Sequence, residues 1–260
     1  MVYSVFYLPL PSHHTLLADT HHFDDSKVLK PEVRSSLMKT LCTSTSDLYQ
    51  TCGWATKLLS ARDISSNMLQ ANGIYNLNAQ AMDATIELIQ GVIDKGVNVK
   101  EIYVDALGNT TLYQQKLARL FPTATVRVEK KADSLYPCVS AASVCAKVTR
   151  DAALEVCYET YADEPAAGGW GSGYPSDGRT VTWLKQNMDP LFGWGTECRF
   201  SWGTAKELLE TKSMAVTVDW PVEGDDGMRM TDFFAATVDG KDEGDELANW
   251  YGNRVTEAMW

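Results

Sequence analysis

The chain has 260 residues, of which 45% are hydrophobic, enough to bury the core of one large domain or of a domain with an appendage. No run of about 18 apolar residues occurs, so no membrane span is expected, and the apolar start MVYSVFYLPLP lacks the basic region of a signal peptide. Six cysteines without CxxC spacing favour a reducing compartment over a disulfide or zinc framework.

The net charge of −11 is unevenly distributed along the chain. Residues 210–260 hold 12 acidic and 4 basic residues, whereas residues 1–209 hold 22 acidic and 19 basic residues. An evenly acidic surface would repel nucleic acid, but the nearly neutral body leaves room for a local basic surface. We therefore predict a body that could bind nucleic acid and an acidic, largely disordered tail over 210–260.

The N-terminal segment begins with a β-strand pattern over residues 1–9. All four histidines follow in one loop, which fits either a metal site or an ordinary polar loop: His13, His14, His21 and His22. A helical pattern then runs to about Leu41, and Asp25 or Ser26 is expected to cap it. Lys27, beside this helix N-terminus, is a candidate phosphate contact.

The middle of the chain predicts a strand at 48–60, a helix from Asn76 to Lys95 and a strand at 101–107. Asp105 lies near the carboxyl end of that last strand. A carboxylate is costly to bury alone, and ligands of open α/β sheets bind at this strand edge. Asp105 is therefore either a functional residue or the cap of the turn that follows.

The segment Thr125–Asp151 predicts a short strand, two lysines, Asp133 and then a helix that begins near Pro137. Small residues line this helix, among them Ser140, and its end is basic with Lys147 and Arg150. Further on, Tyr174 lies in the turn-forming stretch GSGYPSD, and helices are predicted at about 180–188 and up to about 209.

The motifs KADSLYPCVSAASVCAKVTRD, DSKVL, VDALG, GSGYPSD and RFSWGTA resemble those of type 2 ribonucleases H, and more closely the eukaryotic catalytic subunit than the bacterial enzyme. The resemblance runs from Met1 to about Leu209. It implies an α/β, ribonuclease-H-like domain over 1–160 with a mixed five-stranded sheet flanked by helices, a substrate-contacting helical C-terminal part over 161–209 and the tail over 210–260.

The implied activity is cleavage of the RNA strand of RNA/DNA hybrids, and cleavage 5′ of single ribonucleotides in duplex DNA, by two-metal hydrolysis. By motif, Asp105 and Asp133 would be two of four carboxylates that hold two Mg²⁺ or Mn²⁺ ions. Tyr174 would meet the junction between a ribonucleotide and the next deoxynucleotide. The other nucleic-acid contacts implied are Lys27, Ser140, Lys147 and Thr204.

The resemblance also implies an Asp-Glu-Ala-Gly-Arg-Gly strand that would precede Met1 and is absent from this sequence. That strand would supply the other two carboxylates, so we expect little or no nuclease activity from these 260 residues. Three interpretations stay open: an incomplete chain of a real enzyme, a non-catalytic paralogue or splice form that keeps an assembly role, and an enzyme with substituted ligands. Nearby acids for the last are Asp19, Asp24 and Asp25.

The expected partners follow from the same family: two accessory subunits in a heterotrimer, in a nuclear enzyme of replication and ribonucleotide excision repair. In the tail, Met230 followed by Phe233 and Phe234 resembles a sliding-clamp-binding peptide, although Gly227 stands where a glutamine is usual. The alternative for this patch is a short helix that packs on a partner subunit or on the chain itself.

Overall fold

The computed structural model describes residues 1–68, 75–106, 109–161, 169–174, 177–211, 218–219 and 253–254. Almost all of the predicted tail lies outside these residues, so its predicted disorder and the clamp-like patch of Met230, Phe233 and Phe234 stay predictions.

The described helices are α1 (Pro31–Leu41), α2 (Asp47–Thr51), α3 (Ala61–Met68), α4 (Leu77–Asp94), α5 (Thr110–Leu120), α6 (Pro137–Tyr161), α7 (Gly178–Gln186) and α8 (Gly203–Thr211). The main strands are β1 (Val2–Tyr7), β2 (Gly53–Leu58), β3 (Glu101–Asp105) and β4 (Thr125–Glu129). None of the described helices is both long enough and apolar enough to cross a membrane.

The strands form separate pairs. β1 pairs with β2 in antiparallel sense, and β3 pairs with β4 in parallel sense with Asp105 opposite Glu129. A third, very short antiparallel pair joins Val218–Asp219 to Asn253–Arg254. The mixed α/β class is confirmed, but no ladder joins β1 to β3 within the described residues, where the family resemblance implies one five-stranded sheet.

Helix α6 packs against β1 and β2 and also touches β3, so it lies across both main strand pairs. Ala141, Val144 and Cys145 are fully buried on it, because small side chains let a helix approach its neighbours closely. Two other clusters complete the core. One, around Leu117, joins α4 and α5 to β3 and β4; the other joins α7 to α8.

Two predictions near the N-terminus are wrong. Residues 48–60 begin as α2 rather than as a strand, because Ser46 caps that helix by accepting the amide of Tyr49. Helix α1 begins at Pro31 with no side-chain cap, so neither Asp25 nor Ser26 caps it.

The predictions for α4 and α6 are confirmed. Asn76 caps α4 by accepting the amide of Ala79, and Gly96 follows its end with φ of +81°, a conformation that favours glycine. α6 begins at Pro137, as the sequence indicates. Helices α3 and α5 were not predicted, although Asn109 caps α5 and is a readable start signal.

Candidate active site

Asp105 and Asp133 meet at one edge of the β3–β4 pair. Asp105 ends β3, and Asp133 lies in a 3₁₀ turn, Ala132–Ser134, shortly after β4. Parallel strands end at the same edge, which brings the two segments together. Lys131 adopts left-handed backbone with φ of +57°, which turns the chain back so that the amide of Ala132 donates to Asp105 Oδ1 at 3.0 Å.

Asp133 is buried, with only 4% of its surface exposed. Its Oδ1 atom has no hydrogen-bond partner among the described residues, and Oδ2 lies 3.4 Å from Lys27 Nζ. A buried carboxylate oxygen without a donor is strongly unfavourable, since it has lost its water shell and gained no partner. Such an atom is well suited to a cation.

Ser140 supports Asp133 from the first turn of α6. Its hydroxyl is buried and donates to the backbone carbonyl of Asp133 at 2.5 Å. The predicted contact between Ser140 and nucleic acid stays untested, but in this structure the side chain fixes the turn that carries the aspartate.

Lys27 extends over the two aspartates from the turn at residues 25–29. Its side chain is 74% exposed, and Nζ also lies 3.9 Å from Asp25 Oδ2. The Asp133 carboxylate, in the first place, raises the pKa of Lys27, and Asp25 and Asp105 act in the same direction. The lysine is therefore charged at neutral pH, and a positive charge is already favoured at this edge.

Tyr174 lies on the C-terminal part of the chain, and its ring is 45% exposed. The guanidinium of Arg150 lies 4.4 Å from the ring centroid and the Lys147 ammonium lies 5.3 Å from it. Arg150 also donates to the carbonyl of Ser172 at 2.5 Å. The two cations of α6 thus hold the tyrosine ring in place by cation–π attraction.

The loop that carries Tyr174 is fixed by a residue that the sequence analysis did not assign. Asp177 accepts the amide of Ser172 at 2.7 Å and caps α7 by accepting the amide of Arg179 at 3.0 Å. The hydrogen bonds from Ser172 in particular hold the pKa of Asp177 well below its usual range, so it is charged at neutral pH. An aspartate just before a helical pattern is a signal that could have revealed it.

A cavity of about 530 Å³ lies beside the tyrosine. Lys147, Arg150 and Tyr174 line it on one side and Arg34 of α1 also reaches it. Arg34 was missed by the sequence analysis. Its signal is that it shares the buried face of α1 with Leu37 and Leu41, where an arginine is unexpected.

The remaining predicted site residues are placed as follows. Thr204 is half-buried in the first turn of α8. His13 accepts the backbone amide of Cys138, and His21 pairs with Asp47. Within the part of the chain that the structure covers, no three His, Cys, Asp or Glu side chains are grouped closely enough to hold a metal ion, so Asp105 and Asp133 are a pair of carboxylates rather than a larger cluster.

Comparison with protein-family models gives a match over residues 1–205 to the family described as ribonuclease HII. Among curated proteins, the chain is 59% identical to a ribonuclease H2 subunit of Neurospora crassa. That match covers 97% of this chain and 79% of the relative.

Two solved structures from archaea are similar to this fold. The ribonuclease H2 of Pyrococcus horikoshii matches with a TM-score of 0.56 and 25% identity, over 80% of this chain and 97% of that one. The PCNA:RNase HII complex of Archaeoglobus fulgidus matches with a TM-score of 0.55 and 26% identity, over 71% of this chain and 78% of that one.

Proposed function

The chain belongs to the type 2 ribonuclease H family, as a eukaryotic-type catalytic subunit, and on that premise we propose that it cuts the RNA strand of RNA/DNA hybrids and cuts 5′ of single ribonucleotides in duplex DNA. The observation that carries this proposal is the convergence of Asp105 and Asp133 at one strand edge, beneath the ammonium of Lys27.

The residues present fit a divalent metal. Asp133 offers a buried oxygen without a partner, Asp105 offers an exposed carboxylate beside it, and hard divalent ions prefer such oxygens. We propose that these two residues hold Mg²⁺ or Mn²⁺. When bound, two such ions would activate water and stabilise the leaving oxygen.

The cations and the tyrosine would bind the nucleic acid. Lys27 is exposed and stands beside the carboxylates, so its ammonium is placed to contact a backbone phosphate near the reacting bond. Lys147 lies ~15 Å further along α6 from Pro137, at a rise of ~1.5 Å per residue, and can contact a second phosphate. Tyr174 presents an exposed ring edge for a sugar or base at the ribonucleotide junction. Ser140 and Thr204 are kept as weaker candidates for backbone contacts.

We also propose that catalysis needs the Asp-Glu pair of the Asp-Glu-Ala-Gly-Arg-Gly strand. Asp105 and Asp133 are two carboxylates, whereas the family resemblance implies four. The separate β1–β2 and β3–β4 pairs support this proposal, since the strand would fit between β1 and β3 and would use their free backbone groups. The 260 residues alone are therefore predicted to cut slowly or not at all.

The partners are proposed from the relatives. The Neurospora crassa relative is named as one subunit of a larger ribonuclease H2, which supports assembly with two accessory subunits. The archaeal complex with PCNA supports a sliding clamp as a partner for the patch of Met230, Phe233 and Phe234. A nuclear location follows from replication and repair as the proposed roles. An assembly role without catalysis is the second candidate, and it is the function expected if the carboxylate pair does not bind metal.

A cleavage assay tests the proposal on a DNA duplex that contains one ribonucleotide, in Mg²⁺. We expect little cleavage by the 260-residue chain and clear cleavage by a version that carries the Asp-Glu-Ala-Gly-Arg-Gly strand ahead of Met1. Asp133→Asn in the extended version should abolish it. Efficient cleavage by the 260 residues alone would contradict the need for four carboxylates, and cleavage that survives Asp133→Asn would contradict the proposed site.

A further inference from the structure

Arg34 is a buried arginine that holds a turn rather than a carboxylate. Only 7% of its surface is exposed, and it has no ion-pair partner among the described residues. Its Nη1 atom donates to the backbone carbonyls of Ser26 at 2.7 Å and Leu29 at 2.6 Å. A buried guanidinium must satisfy its donors within the protein, so these two bonds fix its place and that of the turn.

The turn at residues 25–29 is the one that carries Lys27. Within it, the amide of Lys27 donates to Asp25 Oδ1, and the amide of Val28 donates to the carbonyl of Asp25. Val28 is exposed and adds little apolar burial. The turn is therefore attached to the body mainly by polar bonds. Arg34 supplies two of them, and a 2.8 Å hydrogen bond from Ser26 to Ser143 of α6 supplies a third.

We propose that Arg34 is a positioning residue for the nuclease reaction, which holds Lys27 over the carboxylate edge so that it meets the substrate phosphate. This inference rests on the proposed function. A long lysine side chain on a loosely attached turn would lose more conformational entropy on contact with a phosphate, and would bind it more weakly. Arg34 and Ser143 reduce that loss before the substrate arrives.

A direct role for Arg34 is the competing explanation, because its side chain also reaches the cavity lined by Lys147, Arg150 and Tyr174. The two roles differ in their coupling to Lys27. If Arg34 acts through Lys27, its replacement has no further effect once Lys27 is gone. If Arg34 contacts a phosphate itself, or only stabilises the fold, the two losses add.

The test is a double-mutant cycle on the affinity for an RNA/DNA hybrid, measured by fluorescence anisotropy at low salt in Ca²⁺. Lys27→Met and Arg34→Met should each weaken binding about five-fold, the loss of roughly one phosphate contact, and the double variant should also lose about five-fold. A combined loss of about 25-fold would be additive and would overturn the proposal. So would wild-type affinity in Arg34→Met.

Two further variants separate positioning from misfolding. Arg34→Lys keeps a donor and should restore part of the affinity, while Ser143→Ala should weaken binding in wild type but not in Lys27→Met. Hydrogen exchange of the Val28 and Leu29 amides should speed up in Arg34→Met and not in the exposed control Arg62→Met. If wild type fails to bind the hybrid, the proposed function fails, and the exchange rates still decide whether Arg34 holds the turn.

Discussion

The carboxylate of Asp105 accepts a 3.0 Å hydrogen bond from the backbone amide of Ala132. This bond ties the end of β3 to the turn after β4, and the next residue in the chain is Asp133. Two acidic side chains are thus held at one edge, where like charges repel and a cation is favoured. Lys27 supplies one positive charge there, and a metal ion would supply more.

Replacing Asp133 by asparagine should stabilise the metal-free protein. The substitution removes a buried charge with an unpartnered oxygen and loses only an ion pair to the exposed Lys27, so we expect Tm in EDTA to rise by about 2–4 °C. Asp94→Asn on the exposed end of α4 is the control and should leave Tm near the wild-type value. A lower Tm in Asp133→Asn would mean that the carboxylate contributes to folding rather than to a cation site.

Tyr174→Ala should weaken binding of a duplex that contains a ribonucleotide by about ten-fold, since ring stacking contributes ~1–3 kcal/mol per base. The loss should be smaller for the same duplex made entirely of DNA. Tyr49→Ala, which removes another exposed tyrosine from α2, is the matched control for anisotropy measurements. Equal losses in the two variants, or equal losses for the two duplexes, would remove Tyr174 from the substrate surface.

His13 should make the protein less stable as the pH falls. Burial, and then the neighbouring His14, lower the pKa of His13 below its ordinary value of 6.5, and its Nε2 accepts the amide of Cys138 at the start of α6. Because the folded state prefers the neutral ring, the stability is fully present above pH 6.5. It is lost as the pH falls through the lowered pKa.

The check is Tm between pH 7.5 and 5.5. His13→Asn should show a smaller decrease than wild type over this range, whereas His22→Asn, the same change at an exposed position, should keep the wild-type slope. Parallel curves for wild type and His13→Asn would show that this histidine does not set the acid sensitivity.

Much of the fold was readable because it depends on local signals. Asn76 and Gly96 mark the ends of α4, and Pro137 marks the start of α6. Residues 48–60 were misread because Ser46 sits just outside the strand-like pattern and redirects its first residues into α2. Strand pairing was not readable at all, since which strand lies beside β1 or β3 depends on contacts between distant segments.

The candidate site was only partly predictable for the same reason. Asp105 and Asp133 were found through the family resemblance together with their place at strand ends, and the structure brings them to one edge. The role of Ser140 in holding Asp133, and that of Arg34 in holding the Lys27 turn, could not be predicted. Both act through backbone carbonyls whose positions exist only in the folded chain.

Metal binding by the carboxylate pair is tested most directly by a titration with Mn²⁺, in which electron paramagnetic resonance counts the free ion. We predict that the wild-type chain removes Mn²⁺ from solution and that Asp105→Ala combined with Asp133→Ala abolishes this binding, while Asp94→Asn leaves it unchanged. Equal binding by the wild type and the double variant would contradict a metal site at this strand edge.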